Sequence, residues 1–171
     1  AFVVMMAATP FVFVETFGYS PAAYAALIAV ILTVFAAIAL VSGRLAARFG
    51  AARPIGWGIV PVLAGAALLV AGSLGTPSPT LIAPGLLLLI GCMGLMVPNA
   101  HILMLEPFPA FAGTAAGLAM LITTAGGALA ITLYSLLAAG SVAGFGLFTA
   151  CCGGATLIGW AALQGTERTF P

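Results

Sequence analysis

Of the 171 residues, 64% are hydrophobic and only 4% charged; the ionised side chains are four arginines and three glutamates. A soluble domain carries about 25% charged residues, so a water-facing surface is excluded. A formal net charge of +1 argues against a nucleic-acid partner, because four arginines make no surface able to neutralise a run of phosphates. The remaining solvent is a lipid bilayer, in which backbone groups are satisfied by helices or by closed barrels.

The chain begins AFVVMMAATP, with no initiator methionine and no basic residues ahead of the apolar run. That beginning argues against a signal peptide and reads as a helix truncated within a longer protein. Residues 1–14 are too few to cross a hydrocarbon core of about 30 Å at about 1.5 Å per residue. ETFGYS follows, and Ser20 before Pro21 predicts the N-terminus of a second helix over 21–42. The stretch GRLAARFGAAR reads as the next break, followed by helices over 54–74, 81–105, 113–138 and 141–163. GTPSPT, EPFPAFA and AAGS separate them with turn-forming residues. The runs do not alternate as barrel strands do. The prediction is an all-α integral membrane protein of six transmembrane helices, with short connections making successive helices antiparallel neighbours.

Charge supplies an orientation. Arg44, Arg48 and Arg53 all lie in residues 43–53, and Arg168 lies in the tail. Basic residues of short loops remain cytoplasmic. With 43–53 inside, the parity of the crossings puts ETFGYS, GTPSPT and 139–141 outside, all without arginine, and the tail inside. Arg44, next to the expected end of the second helix, complements its dipole. Small residues predict close packing: the four-residue spacing of Ala25, Ala29, Thr33 and Ala37, and the G-x-x-x-G pairs Gly113/Gly117 and Gly140/Gly144.

Polar groups at depth are functional candidates. Asn99 and His101 follow Pro98, which can bend the fourth helix, and His101 falls about one turn from its end. His101 is a candidate polar or proton-linked residue, or an interhelical contact near water. Thr123, Thr124, Thr132, Tyr134 and Ser135 share the fifth helix, where hydroxyls also bond their own backbone. Thr9 and Pro10 suit a bent, cavity-lining segment, and Met5, Met6, Phe11 and Phe13 suit an adaptable apolar pocket or plain packing. Cys92, Cys151 and Cys152 show no metal or disulfide spacing. One histidine, no G-x-S-x-G, no carboxylate pair at depth and no phosphate loop speak against an enzyme. No cofactor or metal is expected.

GRLAARFG followed by Arg53 resembles the loop signature of the major facilitator superfamily, in the weakened form found between helices eight and nine. ATPFVFVETFGYSPAAYA and VPNAHILMLEPFPAFAGTAAGL resemble helices seven to eight and ten to eleven of its Bcr/CflA group, the bicyclomycin-resistance-type drug exporters. The resemblance implies the carboxy-terminal half of a twelve-helix carrier of the bacterial inner membrane. Its missing amino-terminal half would hold the coupling acids, and a small amphipathic substrate would bind between the halves. Helices one, two, four and five would face the cavity, with three and six outward. Ala47 stands where the signature has aspartate, and Ala51 and Ala52 replace basic residues, so a charge relay through that acid is not expected. The candidate substrate-cavity residues are Met6, Thr9, Phe13, Asn99 and Thr123; Arg44, Arg48, Arg53 and Glu106 are the candidate cytoplasmic anchor or gate. The function expected is proton-coupled efflux by alternating access. A nutrient importer of the same fold and a non-transporting scaffold remain as alternatives, while a channel would require a continuous polar stripe that these helices lack.

Overall fold

The computed structural model describes residues 2–74, 76–137 and 141–167, and all regular structure in them is helical. Arg168, Gly140 and most of the 138–141 turn lie outside the described residues. Helix α1 (Phe2–Pro10) passes into a π-helical stretch, Phe11–Thr16; the long helices are α2 (Pro21–Phe49), α3 (Ala52–Ser73), α4 (Pro79–Leu105), α5 (Ala112–Leu137) and α6 (Val142–Glu167). Five helical segments among the described residues are long and apolar enough to cross a bilayer; α1 is not one of them. The chain is an all-helical, multi-pass membrane protein.

Local chemistry accounts for the boundaries. Pro10 lacks the N–H that would continue α1. Beyond it the backbone widens, with Phe17 N–H reaching the Val12 carbonyl, and the chain reverses at Gly18, where φ is +68°. The Ser20 hydroxyl accepts from Ala23 N–H and caps α2, with Pro21 in its first turn. At its other end α2 does not stop at Ser42 as expected. GRLAARF continues it to Phe49, because Arg, Leu and Ala are strong helix formers and the single Gly43 does not outweigh them. Gly50, at φ +83°, ends it. The expected loop 43–53 thus shrinks to Gly50 and Ala51, and Arg48 rather than Arg44 occupies the last turn.

Packing follows a different order from the chain. Helix α4 is central, with α3 along one side and α2 along another; α6 lies on α3, and α1 on α5. The prediction that successive helices are close neighbours holds fully for α3 and α4. Elsewhere the short connections fix direction but leave the choice of partner to side-chain fit. The α3–α4 seam is built on glycine. Gly58, Gly65 and Gly72 are all buried on the α4 side. A Cβ on Gly65 would lie 2.7 Å from both the Gly85 carbonyl oxygen and the Leu89 nitrogen. Their seven-residue spacing is two helical turns, the repeat of a shallow left-handed crossing. On α4, Gly94 is notched into α2, where a Cβ would lie 2.6 Å from the Phe35 carbonyl oxygen.

Contact register gives helix directions. Gly91 meets Val34 and Ile38, and further along Asn99 meets Ser42, so α2 and α4 are parallel. Gly58 meets Met96 and Gly72 meets Ile82, so α3 and α4 are antiparallel. Gly146 meets Ser73 and Gly153 meets Ala66, so α6 is antiparallel to α3. The α2–α3 turn and the end of α4 therefore share one end of the molecule, and the α3–α4 turn and the start of α6 share the other.

Candidate functional site

Buried polar groups are few enough to follow one by one. Thr9 is fully buried on α1 and its hydroxyl donates to the Met5 carbonyl. Thr149 on α6 is equally buried, donating to the Phe145 carbonyl at 2.8 Å and lying 3.9 Å from the Met5 sulfur, which ties α1 to α6. Ser73 donates back to the Leu69 carbonyl at 2.5 Å beneath Gly146. Each hydroxyl is satisfied by its own helix, the ordinary solution in an apolar environment.

Asn99 is different. Its amide nitrogen donates across the interface to the Ser42 hydroxyl at 2.5 Å and within α4 to the Leu95 carbonyl at 2.6 Å. Ser42 donates to the same Leu95 carbonyl at 3.3 Å. Pro98 cannot donate to the helix, so backbone bonding is already reduced beside this cluster. The Asn99 carbonyl oxygen is buried and has no hydrogen-bond partner among the described residues. A buried acceptor of this kind costs about 1–3 kcal/mol, so the pair contributes specificity of fit between α2 and α4 more than stability. His101 lies a half-turn on and is half-buried. Its Nδ1 is 2.8 Å from the Val97 carbonyl, and because a carbonyl only accepts, this contact places a hydrogen on Nδ1.

None of the grooves described among these residues is lined by the five cavity candidates. Phe13 is fully buried with Phe17, Tyr19 and Tyr24 around it, at ring-centre distances of 5.7, 5.4 and 6.4 Å. Thr9 and Asn99 are engaged as above. Met6 is partly buried against the core, and Thr123 is exposed on α5 while bonding its own backbone at Ala119 and Met120. The grooves described are elsewhere: about 440 Å³ between α3, α4 and α6 beside Ile55 and Met96, about 370 Å³ beside Phe108 and Leu118, and about 610 Å³ between α3 and α6 beside Leu63 and Gly153. All are almost wholly apolar.

Arg44, Arg48 and Arg53 are exposed, as is Glu106, and no ion pair joins them in this structure. The Arg48 guanidinium lies instead 5.6 Å from the Phe49 ring centre. No group of three metal-ligating side chains occurs among the described residues. Ser42, Ser73 and Thr149 are buried polar residues that are not among the candidates expected from the sequence. The signal for them was present, since each is a hydroxyl inside an apolar run.

The small-residue stripe on α2 faces away from the bundle: Ala25, Ala29, Thr33 and Ala37 are all exposed. Gly113 and Gly117 on α5 likewise have nothing within 4 Å of an added Cβ. Ile31, Ser42 and their half-buried neighbours form the face that α2 turns inward. No protein-family model matches the chain, no curated protein is similar to it, and no solved structure resembles it.

Proposed function

We propose that the chain is the carboxy-terminal half of a major-facilitator-type carrier that exports drugs or other small amphipathic molecules across the bacterial inner membrane in exchange for protons. One observation carries the reading. Only 11% of the most apolar window of α2 and 6% of that of α5 is buried, against 44% in α3 and 39% in α4. Beside large apolar residues such as Leu40 and Leu121, these two helices expose small and hydroxyl-bearing ones, among them Ala25, Thr33, Gly117 and Thr123. Small residues bring helices together in lipid, so such faces suit a second helical body better than acyl chains.

In this reading the second body is the amino-terminal half, and substrate binds between the two. Thr123 and Met6 offer surface to it, while Thr9, Phe13 and Asn99 shape the wall from behind. Glu106 shares an end with Arg48, so the two are positioned to pair in another state of the transport cycle, and charge swapping tests that latch. The coupling acid belongs to the other half, since Glu15 and Glu106 are both exposed at helix ends.

The test is transport by the full-length protein in vesicles under an imposed pH gradient. Proton movement that starts on adding a lipophilic cation, in the direction opposite to the cation, supports exchange. Movement of both in one direction indicates an importer, and the absence of any substrate-dependent flux indicates a scaffold.

A further inference from the structure

The two turns of α2 that replace the expected loop create a surface. Arg44 and Arg48 are four residues apart and share one face of α2. Arg53 and Trp57 are four residues apart and share one face of α3. Phe49 joins the two rows: its ring packs edge-on against Trp57 with 5.6 Å between centres, and the Arg48 guanidinium lies 5.6 Å from that same ring. All five side chains are exposed, and no carboxylate pairs with the three arginines among the described residues.

We propose that this basic and aromatic patch binds the phosphodiester headgroup of an anionic phospholipid. Three uncompensated guanidiniums lie within two helical ends joined by a two-residue turn, in a chain whose net charge is only +1. Guanidinium binds phosphate through paired N–H donors. Tryptophan and phenylalanine beside it place the patch at headgroup depth, where amphipathic rings settle. Trp57 is nearly half exposed, and Val60, one turn further into the span, is 72% exposed. The lipid-facing side of α3 is thus continuous from the arginines to the surface an acyl chain follows. Charge complementarity selects an anionic headgroup over a zwitterionic one by about fivefold per arginine in contact, equivalent to about 1 kcal/mol each. This binding depends on membrane insertion and is independent of whether the protein transports anything.

Brominated lipids test it, because bromine quenches tryptophan on contact. Trp160→Phe leaves Trp57 as the single tryptophan of the chain. This variant is placed in phosphatidylcholine vesicles containing increasing brominated phosphatidylglycerol or, in parallel, brominated phosphatidylcholine. Trp57 is expected to be quenched at a phosphatidylglycerol fraction at least fivefold lower, with the difference shrinking as salt rises. R48Q/R53Q brings the two curves together, whereas R48K/R53K, which keeps the charge, holds most of the separation. Coincident curves for the parent, or a separation unchanged in R48Q/R53Q, overturn the proposal. So does its loss on adding millimolar glycerol phosphate to the water, which indicates a site for dissolved anions.

Discussion

Ser42 and Asn99 form the polar tie that crosses between α2 and α4, and they show how much one side chain decides in an apolar bundle. A hydrogen bond between membrane helices is worth about 0.6 kcal/mol on average and up to about 1.7. A double-mutant cycle of Ser42→Ala and Asn99→Ala, read from unfolding in detergent, is expected to show coupling in that range; strictly additive changes are incompatible with the contact. Asn99→Leu is a sharper probe, since it removes the unpartnered oxygen along with the bond. Its net effect should be smaller than that of Asn99→Ala, because filling the site with an apolar group offsets the lost donors. Arg48→Gln and Glu106→Gln belong to the opposite class. Both side chains are exposed and unpaired in this structure, so each should leave the unfolding midpoint within the equivalent of about 0.5 kcal/mol. A larger drop in either would indicate an ion pair formed in solution.

Among elements, glycine position separates two kinds of helix. Gly65 lies where an added Cβ meets backbone, and backbone cannot move aside as a flexible side chain can. Gly65→Val is therefore expected to destabilise the chain by about 1–3 kcal/mol or more, by forcing α3 and α4 apart. Gly117 meets nothing within 4 Å. Gly117→Val should leave the thermal midpoint of the chain nearly unchanged, because helix propensity rises slightly and no neighbour is displaced. The full-length protein distinguishes the proposed role of α5. If that helix packs on a second half, Gly117→Val lowers transport while leaving this chain's own fold intact. Equal thermal losses for the two substitutions run against the described packing.

For the whole molecule, helix directions rest on the side-chain register along α2, α3, α4 and α6. Thiols introduced one at a time at Gly50 and Ser78, with Cys92, Cys151 and Cys152 replaced by alanine, are expected to react with an impermeant reagent from opposite compartments. Gly50 should be reached from the cytoplasmic side, given its flanking arginines. Reaction of both from one compartment is incompatible with α3 as a complete crossing.

Much of this was legible in order of locality. The sequence alone determined the solvent, because so few charges cannot cover a water-facing surface, and it determined the helices, because apolar length, Ser20–Pro21 and Gly18 act through neighbours in the chain. It also held the seven-residue spacing of Gly58, Gly65 and Gly72, beside the shorter G-x-x-x-G pairs Gly113/Gly117 and Gly140/Gly144. Tertiary structure decided which small-residue face is used. Glycines and alanines both occur on each of the helices α2 to α6, and a stripe becomes an interface only where the opposing backbone has a matching surface at the right register. Tertiary structure likewise joined Asn99 to Ser42 across 57 positions. Those outcomes depend on how two helices cross, and local propensity carries no information about a crossing.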